Sequence, residues 1–354
     1  MFWNNKKVLV TGHTGFKGSW LSLWLQSLGA NVTGYALEAP TTPSLFEMAK
    51  VSEGMTSIIG DIRDLDKVKQ LFIEVQPEIV IHLAAQPLVR YSYQEPVETY
   101  ETNVMGTLNI LEGIRSVDSV RSAVMITTDK CYENDERDWG YSEKDPMGGH
   151  DPYSSSKGCA ELLISSYRNS YFPEKSYSTH KTAIASARAG NVIGGGDWAE
   201  DRLIPDLIRD FIEKKMTLIR NPDAVRPWQH VLEPLSGYLL LAEKLYSNGM
   251  KYADAWNFGP EQKDTQPVAW IADQLVEIWG ENSGWENDKN VNHPHEANYL
   301  KLDCSKAFSN LGWSPKWDLQ NALIKIVEWH KEALANKSMR EFTLKQIEAY
   351  SNAS

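Results

Sequence analysis

Two short runs carry side chains suited to moving protons: Thr128-Asp129-Lys130 and Tyr153-Ser154-Ser155-Ser156-Lys157. In the second, Tyr and Lys stand at i and i+4, on one face of a helix begun by Asp151-Pro152. An ammonium beside a phenol lowers the phenol's pKa and makes a phenolate available as a general base toward an alcohol. The same lysine can hydrogen-bond a ribose. Many helices carry such a pair by chance, so its place in the chain matters. It follows the strand-like run ending Ile126-Thr127-Thr128-Asp129-Lys130. Thr128 can share a hydrogen bond with a substrate hydroxyl beside Tyr153. Asp129 and Lys130 are expected to project from the C-terminal edge of a parallel sheet, where such folds bind ligands.

The elements that must position these groups alternate along the first half. Strands are expected at 7–11, 31–36, 56–59, 79–83, 123–127 and 182–187, with helices at 18–28, 64–75, 97–116 and 152–172. Strands separated by helix-length segments mean βαβ units and a mostly parallel sheet with helices on both faces. Beyond about residue 190 the pattern becomes mostly helical and rich in tryptophan, with helices expected at 203–215, 231–247, 268–279, 304–311 and 319–334. The expected fold class is therefore α/β: a Rossmann-type, doubly wound parallel sheet with a smaller, mostly helical C-terminal lobe. We divide the chain into residues 1–190, carrying cofactor and catalytic residues, and 191–354, binding substrate, with some chain crossing between them. No linker separates the two, so a ligand cleft is expected at their junction. Trp228, Trp256 and Trp313 read as core anchors.

The first strand runs into Gly12-His13-Thr14-Gly15-Phe16-Lys17-Gly18. Gly12 permits a sharp turn, Gly15 lets backbone approach a pyrophosphate, and Gly18 allows close helix–sheet packing, ahead of a helix N-terminus that offers free N–H groups. Glu38 lies about 20 residues further on, the usual distance of the acidic residue that binds an NAD ribose 2′-hydroxyl. The position that closes the second strand is not acidic, which leaves NADP open as the less favoured cofactor. Asp61 can accept from an adenine amino group beside Ile62, or else cap the next helix. Small residues in Leu83-Ala84-Ala85-Gln86 let a ribose lie against backbone. Asn103 is read as a buried brace for sheet and site, and Thr127 as a further cofactor neighbour. His13 and Lys17 put side chains beside the pyrophosphate turn, so His13→Gly is expected to change cofactor affinity.

Bulk properties narrow the function. The 354 residues are 42% hydrophobic and 23% charged, an ordinary globular balance. A formal charge of −11 argues against nucleic acid and membrane surfaces as partners. Cys131, Cys159 and Cys304 suggest neither a disulfide framework nor a metal site, so a reducing, cytoplasmic location is expected. No signal-peptide core or bilayer-length apolar run is apparent.

TGHTGFKG, HLAAQ, TTDKCY and YSSSK, in this order, resemble the extended short-chain dehydrogenase/reductase family over essentially the whole chain. Arg188-Ala189-Gly190-Asn191, Arg226-Pro227-Trp228-Gln229-His230-Val231 and Trp256-Asn257-Phe258-Gly259-Pro260 make the chain similar to its nucleotide-sugar 4,6-dehydratases, and to the branch that takes CDP-glucose. The resemblance implies a homodimer or homotetramer working in deoxysugar biosynthesis for surface polysaccharide. It implies that Tyr153 deprotonates the sugar 4-hydroxyl during oxidation at C4. It also implies that Asp129, held protonated, gives its proton to the departing 6-hydroxyl. In the commoner pattern a glutamate follows that Asp and takes the C5 proton; here Lys130 stands there. A lysine serves as that base only when neutral, with a pKa well below about 10.4; otherwise it steadies an enolate as a cation. For a nucleoside diphosphate sugar, Arg226 offers a planar fork to phosphate and Asn191 an amide. Leu203 and Ile204 are candidates to line the base slot, and His295 and Glu296 to meet ribose or base. The rival enzyme is a 4-epimerase or another nucleotide-sugar dehydratase; the rival from another class is a non-catalytic, cofactor-sensing regulator, which has no reason to keep Tyr, Lys, Thr and Asp together.

Overall fold

The computed structural model describes residues 2–280, 283–288 and 299–353. Its centre is a seven-stranded sheet whose first six strands in the chain are β1 (Lys7–Thr11), β2 (Asn31–Ala36), β3 (Thr56–Ile59), β4 (Ile79–His82), β5 (Ser122–Ile126) and β6 (Ala183–Arg188). The seventh strand, Ala255–Asn257, comes from the second half of the chain and pairs in parallel with β6. From that edge the order runs seventh, β6, β5, β4, β1, β2, β3, with every pairing parallel. β4, β5 and β6 are buried along their whole length, as strands covered on both faces must be. That double burial is why they read as unbroken apolar or small-residue runs.

One face of the sheet is covered by the helices Leu65–Val75, Gly106–Arg115 and Pro152–Ser170, closing a core around Leu9, Val80, Ile110 and Ile184. The other is covered by the helices Phe16–Ser27 and Leu232–Asn248, with Val8, Ile81, Leu235 and Leu239 between. The helix expected at 97–116 is divided: an α-helical turn Pro96–Tyr100, a π-helical segment Glu101–Met105, then Gly106–Arg115. Asn103 sits in the π segment, where a helix accommodates a functional side chain at the expense of its regular ladder.

Segments from beyond residue 190 also enter the first body. Leu232–Asn248 and the seventh strand belong to the Rossmann body, and the C-terminal helix Met339–Asn352, which the sequence pattern did not reveal, lies against Phe16–Ser27. Glu233, fully buried, holds this last helix. It accepts from the Tyr350 hydroxyl at 2.5 Å and from the backbone N–H groups of Lys316 and Trp317 at 3.0 and 2.8 Å, and burial pushes its carboxyl up to about 7. The remaining layer packs the helices Leu203–Glu213, Val268–Trp279 and Leu319–Leu334 around Leu207, Phe211, Ile271 and Leu323. Trp228, Trp256 and Trp313 are buried, each donating its indole N–H to a protein oxygen.

Among the described residues, four histidines are buried in the neutral form. Burial holds His82, His230 and His330 down at about 3 and His13 at about 4. The unfolded chain therefore binds more protons than the folded one below about pH 6.5, and their contribution, present above that pH, is lost as pH falls toward 4. Each costs about 1.4 kcal/mol per pH unit in this window. Glu233 and Asp206, both raised to about 7 by burial, and Asp129, raised likewise, work in the opposite direction but are outnumbered. Thermal melts should lose stability steeply between pH 6.5 and 5, above the usual carboxylate range; a flat Tm across that interval contradicts the assignment.

Candidate active site

The C-terminal ends of the parallel strands open into a continuous cleft of ≈ 1260 Å³ that runs from the glycine turn, past Tyr153, to the helix Leu203–Glu213. At the first end Gly12, at φ +77°, makes a turn open only to glycine without strain: a Cβ there would stand 2.7 Å from the Ala84 nitrogen. Gly18 is closed off by Gly12 and His13, whereas a Cβ at Gly15 would meet protein no nearer than 3.4 Å. Gly15 thus keeps an open floor, and no side chain caps the helix that it begins. An open floor beneath an uncapped helix start fits the diphosphate of a dinucleotide. Thr14, Phe16, Lys17, Glu38, Asp61, Ile62, Leu83, Ala84 and Ala85 line the same half, with Thr127 at its end. Asp61 does not cap the following helix, a role taken by Asp64; its carboxylate instead accepts from Arg63.

Three residues expected here work one layer back. The His13 side chain turns away from the cleft. Its Nε2 meets the Ser57 hydroxyl at 2.7 Å and its ring fills the space left by Gly34, so it reaches the pyrophosphate turn only through backbone. Gln86 braces its own loop, bonding Leu88 and Thr99. Asn103 accepts from the Gln86 N–H at 2.8 Å and donates to the Ser156 hydroxyl at 2.9 Å, so it ties that loop to the catalytic helix.

At the centre, the Thr128 hydroxyl hydrogen-bonds Tyr153 and donates to Asp129 Oδ1 at 2.9 Å. Asp151 caps the helix Pro152–Ser170, accepting from the Ser154 N–H at 2.9 Å, which sets where Tyr153 and Lys157 enter. Lys157 does not hold the phenol down in the free protein: burial pushes Tyr153 up to about 12 and Lys157 down to about 8. Loss of water outweighs the neighbouring charge for both groups. Asp129 is 1% exposed, its Oδ2 has no hydrogen-bond partner, and burial raises its pKa despite Lys130 and Arg226 nearby. Lys130 is half-buried on the cleft wall, its backbone N–H donating to the Thr128 hydroxyl at 3.3 Å. Lys17 also faces this centre: its ammonium donates to the Tyr238 hydroxyl at 3.1 Å, and burial with Lys157 and Arg202 nearby lowers it to about 7.

The far half is lined by Asn191, Leu203, Ile204 and Arg226. Asn191 stands at φ +45° with its side-chain N–H₂ buried and unbonded, a donor left for a ligand. Arg226 is 8% exposed and donates to the Val225 carbonyl at 3.0 Å. His295 and Glu296 lie outside the described residues. Sequence reading missed Arg90, Arg202, Arg209 and Arg220, which line the same half; no local motif marks them, because three separate parts of the chain bring them together.

A parallel sheet with a dinucleotide cradle, a Tyr–Lys pair and an acid at its C-terminal edge defines a short-chain dehydrogenase/reductase-type enzyme of the extended kind. Comparison with known proteins narrows this. The profile described as GDP-mannose 4,6 dehydratase matches residues 9–326, and the chain belongs to that family. It is 56% identical over 352 residues to CDP-glucose 4,6-dehydratase of Salmonella typhimurium, covering 99% of this chain and 98% of that protein. Among solved structures, UDP-glucose 4-epimerase of Thermus thermophilus in complex with NAD matches with a TM-score of 0.78 at 24% identity, over 91% of this chain and 97% of that one. The dTDP-glucose 4,6-dehydratase of Bacillus anthracis, in complex with NAD, matches at 0.75 and 20%, over 92% and 97%. At these identities the two structures establish the shared fold.

Asp129 owes its place to Gly190, where a Cβ would stand 1.8 Å from Oδ2. A Gly190→Ala variant must displace the carboxyl, and its kcat should fall by about 10²–10⁴-fold, the weight of one acid–base group. A folded variant with undiminished kcat contradicts this placement.

Proposed function

We propose that the protein is an NAD-dependent nucleotide-sugar 4,6-dehydratase, a hydro-lyase that converts CDP-glucose to CDP-4-keto-6-deoxyglucose. The observation that carries the reading is Asp129, a water-excluded carboxyl with a raised pKa joined to Tyr153 through Thr128. An epimerase has no leaving water to protonate and needs no acid there. The choice of CDP-glucose is supported by the near full-length similarity to the Salmonella enzyme. A cytoplasmic location fits three free cysteines and the absence, among the described residues, of a helix long and apolar enough to cross a membrane.

NAD, held by the open floor at Gly15 and the residues around it, supplies when bound the hydride acceptor at C4 and the hydride returned to C6. The protein's own groups move protons. Tyr153 takes the proton of the 4-hydroxyl, its phenolate steadied by the Thr128 hydroxyl and by Lys157. The 4-ketone acidifies the hydrogen on C5, which Lys130 removes. Asp129 delivers its proton to the 6-hydroxyl and water leaves, and Lys130 gives the proton it took back to C5 as C6 is reduced. Asn191 and Arg226 hold the substrate diphosphate while Leu203 and Ile204 border the base.

We also propose that the enzyme is at least a homodimer. Val97, Tyr100, Met105 and Leu162 are exposed on helices that pack together, and apolar residues grouped this way favour an interface. Light scattering should give a multiple of the chain mass that Leu162→Glu reduces.

Incubation with CDP-, dTDP-, UDP- and GDP-hexoses should yield the 4-keto-6-deoxy product from CDP-glucose; turnover of dTDP-glucose but not CDP-glucose overturns the assignment. Asp129→Asn should oxidise C4 and stall before water loss, read as reduced cofactor at 340 nm without product. Product at the parent's rate removes Asp129 from the acid role. Lys130→Arg keeps the cation and loses the base, so kcat should fall by about 10²–10⁴-fold; near-parental activity assigns Lys130 to electrostatic support instead.

A further inference from the structure

One carboxylate bridges the two walls of the substrate half of the cleft. Asp201 Oδ1 lies 3.1 Å from Arg90 Nη1 and 3.3 Å from Arg220 Nη1. Arg90 comes from the helix Val89–Gln94, which follows β4 in the Rossmann body, and Arg220 follows the strand Thr217–Ile219 in the C-terminal layer. Asp201 sits in the segment leading to the helix Leu203–Glu213, at φ +59°. All three residues line the cleft. Two guanidinium groups converging on one anionic oxygen are the arrangement that a phosphate oxygen would meet.

The neighbouring ion pairs differ from this bridge. Arg202 pairs with Asp197, whose side chain is only 7% exposed, and Arg209 with Asp206 on its own helix. Asp201 is 45% exposed, and Asp206, whose carboxyl burial and its acidic neighbours raise to about 7, lies within electrostatic reach of it. It is therefore the carboxylate in this half most easily exchanged for another anion, because exposed ion pairs are cheap to break.

We propose that Asp201 is an internal substitute for the substrate's diphosphate, holding Arg90 and Arg220 across the cleft of the free protein and yielding them to the arriving nucleotide. Arg90 and Arg220 then form a second phosphate-recognising pair beside Arg226, and the exchange sets specificity. A diphosphate carries more charge and more oxygens than one carboxylate and wins both arginines. A nucleoside without phosphate leaves the bridge closed. The inference rests on the nucleotide-sugar reading above.

Asp201→Asn tests it, because asparagine keeps the size and tolerates the left-handed backbone. Calorimetric titration of CDP into the full-length, NAD-loaded protein should give binding about three- to twentyfold tighter for D201N than for the parent, the worth of two exposed bridges no longer broken on binding. The gain should shrink at high salt and vanish in the double variant D201N/R220Q. Cytidine should show no gain, nor should NAD titrated into cofactor-free protein. Unchanged or weaker CDP binding by D201N overturns the inference, and so does a gain seen with NAD instead of CDP. Failure of the parent to bind CDP at all overturns the nucleotide-sugar reading itself, so the two failures are distinguishable.

Discussion

Beneath the catalytic groups lies the ion pair on which their arrangement depends. Glu161, one turn beyond Lys157, accepts from Arg188 at 2.6 Å, from Ser186 at 2.8 Å and from Thr127, with both charged side chains at most 5% exposed. Arg188 donates onward to the Tyr132 hydroxyl at 2.7 Å, which donates to Asn257 at 2.7 Å. One buried carboxylate thus fastens the catalytic helix to the ends of β5 and β6 and, through Arg188, to the seventh strand. Two buried charges are expensive to desolvate, and the pair persists because hydrogen bonds occupy nearly all of its polar atoms. Removing either member would leave the other charged and unpaired directly under Thr127 and Lys157.

Desolvation then sets the protonation of the site above that pair. It raises the acids Asp129 and Tyr153 and lowers the amines Lys157 and Lys17. Both changes favour neutral forms. In the free protein the phenol keeps its proton and Asp129 is biased toward carrying one. A pair read from spacing alone suggests a phenolate waiting beside an ammonium. In the fold, burial instead keeps the phenol protonated in the free protein. The same burial makes Asp129 useful, because a carboxyl in contact with water would already have lost its proton.

How much of this was legible depended on whether the signal was local. β1, β2 and β3 matched residue for residue, and β4–β6 to within one, because β-branched runs bounded by glycine turns carry their own information. The glycine turn, Thr128, Asp129, Tyr153 and Lys157 were legible for the same reason. The strand Ala255–Asn257 was not, although its residues had been singled out: three residues hold no periodicity, and only pairing with β6 makes them a strand. Nor was the inward turn of His13, fixed by a gap at Gly34 some 20 positions away. The arginines at 90, 202, 209 and 220 converge from three segments, so no short window along the chain contains them together.

That convergence resolves an apparent conflict in charge. A chain with a formal charge of −11 repels anions at long range, yet the proposed ligands are both diphosphates. Among the described residues the cleft is lined by eight lysines and arginines against seven aspartates and glutamates; burial suppresses the charge of Asp129 and Asp206 among the acids and weakens that of Lys17 and Lys157 among the bases. Low-dielectric walls strengthen these nearby charges relative to those on the outer surface, which water and salt screen within about 8–10 Å. Selection among anions thus comes from shape: only those small enough to pass beyond the surface field and into the cleft meet the arginines within it.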